Sequence, residues 1–127
     1  MSAIEEALVS RMGAHAGVGA ITDDFYPMVA PQGADPPYVV YQNISAPELE
    51  VAEYVRPRFQ LTCWAASYSG AVALANAARA CFYNQHLTVL GVHFRSWIAN
   101  IMDGEQDAPT SRYSRIVDVR FDYQNPT

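Results

Sequence analysis

Two stretches of the sequence alternate between apolar and polar residues, and this pattern constrains the fold more than any other feature. The first stretch runs from 55 to 63 and the second from 113 to 124. Because successive side chains of a β-strand point to opposite faces, each stretch predicts a strand with one buried face and one wet face. The buried sets would be Val55, Phe59, Leu61 and Cys63 in the first strand, and Tyr113, Val117, Val119, Phe121 and Tyr123 in the second.

Two other segments have the spacing of amphipathic helices. Ser2-x-x-Glu5 has the form of a capping box, and it precedes apolar residues that recur every four positions, which predicts a first helix ending near Gly13 or Gly17. A second helix is predicted from a serine cap at 67 or 69 to about residue 83. The apolar face of the first helix would be Ile4, Leu8 and Met12, and that of the second Ala71, Leu74, Ala75, Ala78, Cys81 and Phe82.

Two further strands are predicted, one over Tyr38–Ile44, which is dense in β-branched and aromatic residues, and one over 88–102. Residues 103–109 have hairpin-loop chemistry. Residues 17–36 are rich in Gly, Pro and Asp and are predicted to form an ordered loop with apolar anchors that include Met28 and Val29. The element order predicts one α+β domain over residues 1–127, α-β-β-α-β-β, with a four-stranded, mainly antiparallel sheet and two helices on one face.

The segment before the last turn is apolar on both faces when it is read as a single strand. Phe94, Ile98 and Met102 would lie on one face, and Trp97, Ala99 and Ile101 on the other. Helices on only one side of the sheet leave the second apolar face without a partner. Either a neighbouring subunit packs there, with Trp97, Ile101 and Met102 in the interface, or a β-bulge shifts the alternation midway along the strand.

Composition excludes several classes of protein. Half of the 127 residues are hydrophobic, which is typical of a globular chain, and no apolar run reaches the ~20 residues of a membrane-spanning helix. The first residues lack the features of a signal peptide, so we expect folding in the cytoplasm, with Cys63 and Cys81 as free thiols. The formal net charge of −5 disfavours tight binding to phosphate backbones, and strand arginines are expected to pair with acids such as Asp118 and Asp122.

No catalytic, cofactor or metal site is predicted. The three histidines, His15, His86 and His93, do not form a metal-binding motif, and Cys63 and Cys81 are not a C-x-x-C pair. The segment Ser67-Tyr68-Ser69-Gly70 lacks the first glycine of a nucleophile elbow, so a helix cap explains it better. We therefore expect that the protein is not an enzyme.

Four motifs spread along the chain carry a resemblance to a known family. They are Tyr26-Pro27-Met28-Val29-Ala30-Pro31-Gln32-Gly33-Ala34, Pro37-Tyr38-Val39-Val40-Tyr41-Gln42, Arg58-Phe59-Gln60-Leu61-Thr62-Cys63-Trp64-Ala65, and Arg115-Ile116-Val117-Asp118-Val119-Arg120-Phe121. In these motifs the sequence resembles the small tail-completion, or tail-terminator, proteins of long-tailed phages, prophages and gene transfer agents. Residues 84–93 depart from the family pattern, because Asn84–Thr88 stands where a glycine-containing turn is expected.

The resemblance implies a mechanical function in the virion. A homo-hexameric ring of the protein would cap the head-proximal end of the tail tube, end tube polymerisation and join the tail to the head, after assembly in the host cytoplasm. Its partners would be other copies of itself, the tail tube protein and a head–tail connector or stopper protein, with no membrane involved. DNA would pass through the lumen without specific binding, because an acidic loop with Glu48, Glu50 and Glu53 would line it.

Two other functions stay open at this point. The chain could be a neck or connector protein of the head–tail interface, such as a stopper or adaptor. It could also be a small dimeric αβ interaction module that binds a peptide or a hydrophobic ligand.

Overall fold

The computed structural model of the chain describes residues 3–45, 48–49 and 54–124. The predicted capping residue Ser2 lies outside these ranges, and the first helix begins at Ala3. In chain order the elements are α1 (Ala3–Ala14), α2 (Ala16–Gly19), β1 (Phe25–Pro27), β2 (Tyr38–Ser45), β3 (Glu48–Leu49), β4 (Tyr54–Val55), β5 (Arg58–Ala65), α3 (Tyr68–Phe82), β6 (Gln85–Val89), β7 (Val92–Asp107) and β8 (Arg112–Gln124).

The prediction of a four-stranded sheet is wrong. Within the described residues, eight strands form one curled, mixed sheet, and the chain is mainly β. Six of them lie side by side in the order β1-β2-β5-β8-β7-β6, while β3 and β4 extend the sheet beside the end of β8. Only β1 and β2 are parallel. The additional strands β1, β3 and β4 are two or three residues long, too short for an alternating pattern to reveal them.

The segment predicted as one strand from 88 to 102 is part of a hairpin. β6 ends at Val89, Leu90 and Gly91 turn the chain with φ angles of 50° and 78°, and β7 begins at Val92. β7 then continues through most of the predicted turn, so the chain reverses at 108–111 instead of 103–109. The first turn was missed because its first residue is leucine, where two-residue hairpins favour asparagine or aspartate.

The predicted loop 17–36 contains two elements. α2 occupies Ala16–Gly19, with His15 as its N-cap, and β1 pairs with the first half of β2. The expected anchors Met28 and Val29 do not reach the core, since they are 65% and 75% exposed. The loop therefore presents apolar side chains to solvent.

The core lies between one face of the sheet and the helices α1 and α3. Every residue predicted for the apolar face of α3 is buried, and Ser67 caps the helix by accepting a hydrogen bond from the Gly70 N–H at 3.0 Å. Four phenylalanines form its aromatic centre: Phe59, Phe82 and Phe94 each pack edge-on against Phe121, with ring centroids 5.4 to 5.7 Å apart. Cys63 and Cys81 are free thiols in this core. Burial raises their pKa values to about 12 and about 11.

Candidate assembly surfaces

The face of the sheet opposite the helices, called the open face below, carries rows of side chains that cross β2, β5, β8 and β7. Directly opposed residues of antiparallel strands share a face, so the strand register defines these rows. One row is Val40, Thr62, Ile116 and Met102; the next is Gln42, Gln60, Asp118 and Asn100; a third is Arg58, Arg120 and Trp97. The open face is thus neither fully polar nor fully apolar.

The three residues predicted for a subunit interface lie on two different faces. A register shift between Ile98 and Asn100 places Ile101 opposite Val117, against the core, and moves Met102 to the open face, where Trp97 also lies. Met102 is 36% exposed, and Trp97 is half-buried with the Arg95 guanidinium 5.7 Å from its ring centroid. The β-bulge thus exchanges the faces predicted for Ile101 and Met102, and the open face carries Trp97 and Met102.

Three arginines on or beside the open face lie near Asp118 or Asp122, the two acids that the sequence singles out. Arg58 Nη2 lies 2.8 Å from Asp118 Oδ2, and the Asp118 side chain is almost fully buried. Arg56 and Arg95 each lie 3.9 Å from Asp122. These pairs reduce the positive potential that a phosphate backbone would need.

A groove of about 590 Å³ lies at the end of the open face where β7 and β8 turn. It is called the apolar groove below because of its floor, although polar side chains such as Glu105 and Arg112 also line it. The segment from Met28 to Gly33, called the overhang loop below, forms one wall, and Val40, Trp64 and Ile116 line the floor. This volume lies in the range of sites that hold small ligands or several side chains. The groove could not be predicted from the sequence because its walls come from segments that are far apart in the chain.

Hydrogen bonds hold the overhang loop in place. Arg112 Nη1 donates to Tyr38 Oη and Arg112 Nη2 donates to the Ala34 carbonyl, both at 2.9 Å. The Met28 N–H donates to the Tyr41 carbonyl at 2.9 Å, which fixes Met28 in the left-handed region with φ of 64°. Hydrogen bonds within the fold therefore fix the shape of the groove.

The tip of the β6–β7 hairpin also exposes an apolar side chain. Leu90 at its tip is 68% exposed. On the flanking strands His86 and His93 lie with ring centroids 5.7 Å apart, and His93 Nδ1 lies 2.7 Å from Thr88 Oγ1. The exposed Leu90 and the histidine pair could not be predicted from a sequence motif, because Leu90 was expected to lie inside a strand.

In the described part of the chain, the residue types that could bind a metal ion do not cluster. Among the described residues, no three His, Cys, Asp or Glu side chains lie close enough together to hold a metal ion. Nor is any helix in the described ranges long and apolar enough to span a membrane. Of the predicted lumen acids, Glu48 lies in β3, whereas Glu50 and Glu53 lie outside the described residues.

Comparisons with known proteins agree with this architecture. The sequence matches the family of tail completion protein gp17 over residues 6–124. A chain of the virion of a native gene transfer agent (GTA) particle is 14% identical and superposes with a TM-score of 0.77, covering 96% of this chain and 95% of that one. A second solved chain, 18% identical, gives a TM-score of 0.60 over 98% of this chain and 93% of its own length. No curated protein sequence matches significantly.

The family match covers almost the whole chain, and the fold is shared with a component of a phage-like particle. The chain therefore belongs to the tail completion protein gp17 family, structural proteins of the virion tail.

Proposed function

We propose that this protein forms a homo-hexameric ring on the head-proximal end of the tail tube, where it ends tube polymerisation and joins the tail to the head. Family membership supports a role in tail completion. The observation that carries the ring is the open face, where Trp97 and Met102 lie two rows apart on the side of the sheet opposite the described helices. A sheet covered on one side only gains stability from a second copy that covers the other side.

The proposed ring uses two different patches of each subunit. A head-to-tail contact closes into a ring when a whole number of the rotations that relate neighbouring subunits adds up to 360°. Trp97 and Met102 would lie in one of these patches. Ile101 would support the patch from the core side, because it packs beneath the same strand.

The proposed lumen is acidic and carries DNA without binding it. Glu48, Glu50 and Glu53 fall in the segment between β2 and β5, and the whole chain has a formal net charge of −5. Like charges repel phosphate groups, so DNA would slide past this surface. Arginines lining the lumen in an assembled ring would contradict this assignment.

The role is structural, without catalysis or a cofactor. The proposed partners are the tail tube protein on one side of the ring and a head–tail connector or stopper protein on the other. The likeness to a chain of a gene transfer agent virion supports a particle of that kind or a long-tailed phage as the setting.

Deletion of this protein from a particle-producing cell tests the function. We expect tails that stay separate from heads, with tubes of variable and increased length in electron micrographs. Complementation with the wild-type chain should restore the tube length and the head joining. Tubes of normal length that fail to join heads would contradict termination and favour the stopper or adaptor function. Intact particles of normal appearance would contradict both.

A further inference from the structure

Leu90 occupies a position that is unfavourable for an isolated subunit. It is the first residue of a two-residue hairpin turn, with φ of 50°, and Gly91 follows with φ of 78°. A left-handed conformation is sterically unfavourable for a residue such as leucine, and asparagine or glycine adopts it at lower cost. In addition, 68% of the Leu90 surface is exposed to water. Both features suggest that the side chain has a role outside its own subunit.

The apolar groove lies too far away to receive Leu90 of the same subunit. β7 begins next to the tip at Val92, and Met102, ten residues further on, lies opposite Ile116 in the groove floor. At ~3.3 Å per residue this separation is about 33 Å. The chain thus carries an apolar protrusion and an apolar recess at opposite ends of one strand.

The two ends differ in their acidic side chains. Residues 84–95, which form the hairpin and its flanks, contain no acid, and Arg95, which is 58% exposed, lies 3.9 Å from Asp122 on the neighbouring strand β8. At the other end Asp103, Glu105 and Asp107 fall within five residues, and Glu105 lines the groove. Arg112 and Arg115 are also at this end, where Arg115 pairs with Asp103 and Arg112 holds the overhang loop. The three acidic side chains outnumber the two arginines, so the net charge at the groove end is negative.

We propose that the β6–β7 hairpin tip of one subunit, Leu90–Gly91, inserts into the groove beneath the overhang loop of a second copy. This contact joins two different patches, the head-to-tail type that a closed ring requires. The inference rests on the proposed ring and deepens it, because it names the protrusion and the recess that connect neighbours. Leu90 is the apolar anchor, and the groove floor of Val40, Trp64 and Ile116 desolvates it.

Cross-linking tests the contact directly. The double variant Leu90→Cys/Val29→Cys places one exposed thiol at the tip and one on the overhang loop, while the native Cys63 and Cys81 are fully buried. After mild oxidation, with or without tail tube protein, we expect a ladder of covalent multimers on a non-reducing gel. Because the two positions lie at opposite ends of the subunit, a bond between them joins different copies. Each single variant serves as a control, since it can yield dimers at most.

The variant Leu90→Asn separates this inference from the proposed function. Asparagine suits the turn, so we expect the monomer to be at least as stable as the wild type, while the concentration for half-assembly rises about tenfold or more. Rings that form from Leu90→Asn as readily as from the wild type, without cross-links between positions 29 and 90, would overturn the tip–groove contact and leave the ring intact. A wild-type chain that forms no ring alone or on tube ends would overturn both.

Discussion

The carboxylate of Asp118 is buried on the open face and forms an ion pair with the Arg58 guanidinium. Arg58 Nη2 approaches Asp118 Oδ2 at 2.8 Å, while the Asp118 side chain retains 2% of its exposure and Arg58 retains 32%. Burying a carboxylate without a partner is far more costly than exposing one. The pair therefore matters more to stability than the other ion pairs of the sheet, which are more exposed or longer.

We expect Arg58→Ala to lower the free energy of unfolding by about 2–3 kcal/mol, below the full effect for a completely buried pair because Arg58 is partly solvated. Chemical denaturation monitored by circular dichroism measures this change. Arg56→Ala is the matched control: Arg56 is 54% exposed and 3.9 Å from Asp122, so the expected loss is within about 0.5 kcal/mol. Equal effects of the two substitutions would contradict the assignment.

The thiols of Cys63 and Cys81 are expected to react slowly in the folded protein. Burial raises the pKa of Cys63 to about 12 and that of Cys81 to about 11, from an ordinary value of 9.0. Thiolates are the reactive form, so we expect thiol reagents at pH 8 to modify the native protein at least about tenfold more slowly than the unfolded chain. Rapid labelling of the native protein would contradict this burial.

The same thiols link stability to alkaline pH. Their folded pKa values lie above the unfolded value, so the folded state binds more protons between pH 9 and their folded pKa values. Their contribution is complete below pH 9 and is lost as the pH rises through this window. We expect the melting temperature to fall above pH 9, and to fall less in Cys63→Ala measured against its own value at pH 8.

The end of the long hairpin depends on a close contact between β7 and β8. The register shifts a second time between Asp103 and Gln106, and Ser114 Oγ donates to the Glu105 carbonyl at 2.9 Å inside this irregularity. A methyl group on Gly104 would overlap Ser114 Oγ. The bulge thus requires glycine for space.

We expect Gly104→Ala to destabilise the fold by about 1–3 kcal/mol, because the added methyl group separates the two strands. Gly13→Ala is the matched control: Gly13 lies in α1 and its added methyl group would come no closer than 3.9 Å to Phe25, so helix propensity predicts a gain of up to about 1 kcal/mol. Thermal unfolding of both variants measures the contrast. A loss of stability in Gly13→Ala, or none in Gly104→Ala, would be the contrary result.

Elements with many residues on one face were predictable from the sequence, and short or irregular ones were not. All six residues of the predicted α3 face are buried, and β5 shows the predicted alternation. β1, β3 and β4 have too few residues for a period. In β7 the bulge that the sequence left open as an alternative is present between Ile98 and Asn100, and its position could not be predicted because sequence periodicity alone does not locate it.

Part of the candidate assembly surfaces could likewise be predicted from the sequence, and part could not. Trp97 could be singled out because a large apolar residue on a second face of a strand is conspicuous, whereas the bulge places Ile101 against the core. The groove could not, because its walls come together only when β2, β5 and β8 pair and Arg112 fixes the overhang loop. Leu90 was hidden because a leucine inside an apolar run indicates strand, not turn.

For the whole molecule, helices cover one face of the sheet and the open face is available for assembly. Met102 and Ile21 are both 36% exposed, but Met102 lies on the open face and Ile21 follows α2. We expect Met102→Glu to prevent assembly while changing monomer stability by less than about 1 kcal/mol, because the site is already partly solvated. Ile21→Glu should assemble normally. Assembly of Met102→Glu at wild-type concentrations, measured by sedimentation, would remove Met102 from the interface.

The central claim is that identical copies of this chain close into a ring. The most direct measurement is the mass of the assembled species, obtained by light scattering on the purified 14.0 kDa chain, both alone and on the ends of tail tubes, with electron microscopy of the same samples. We expect a single species with the mass of six copies and end views that show a six-fold ring around a lumen. A compact dimer that stays a dimer in the presence of tail tubes would contradict it.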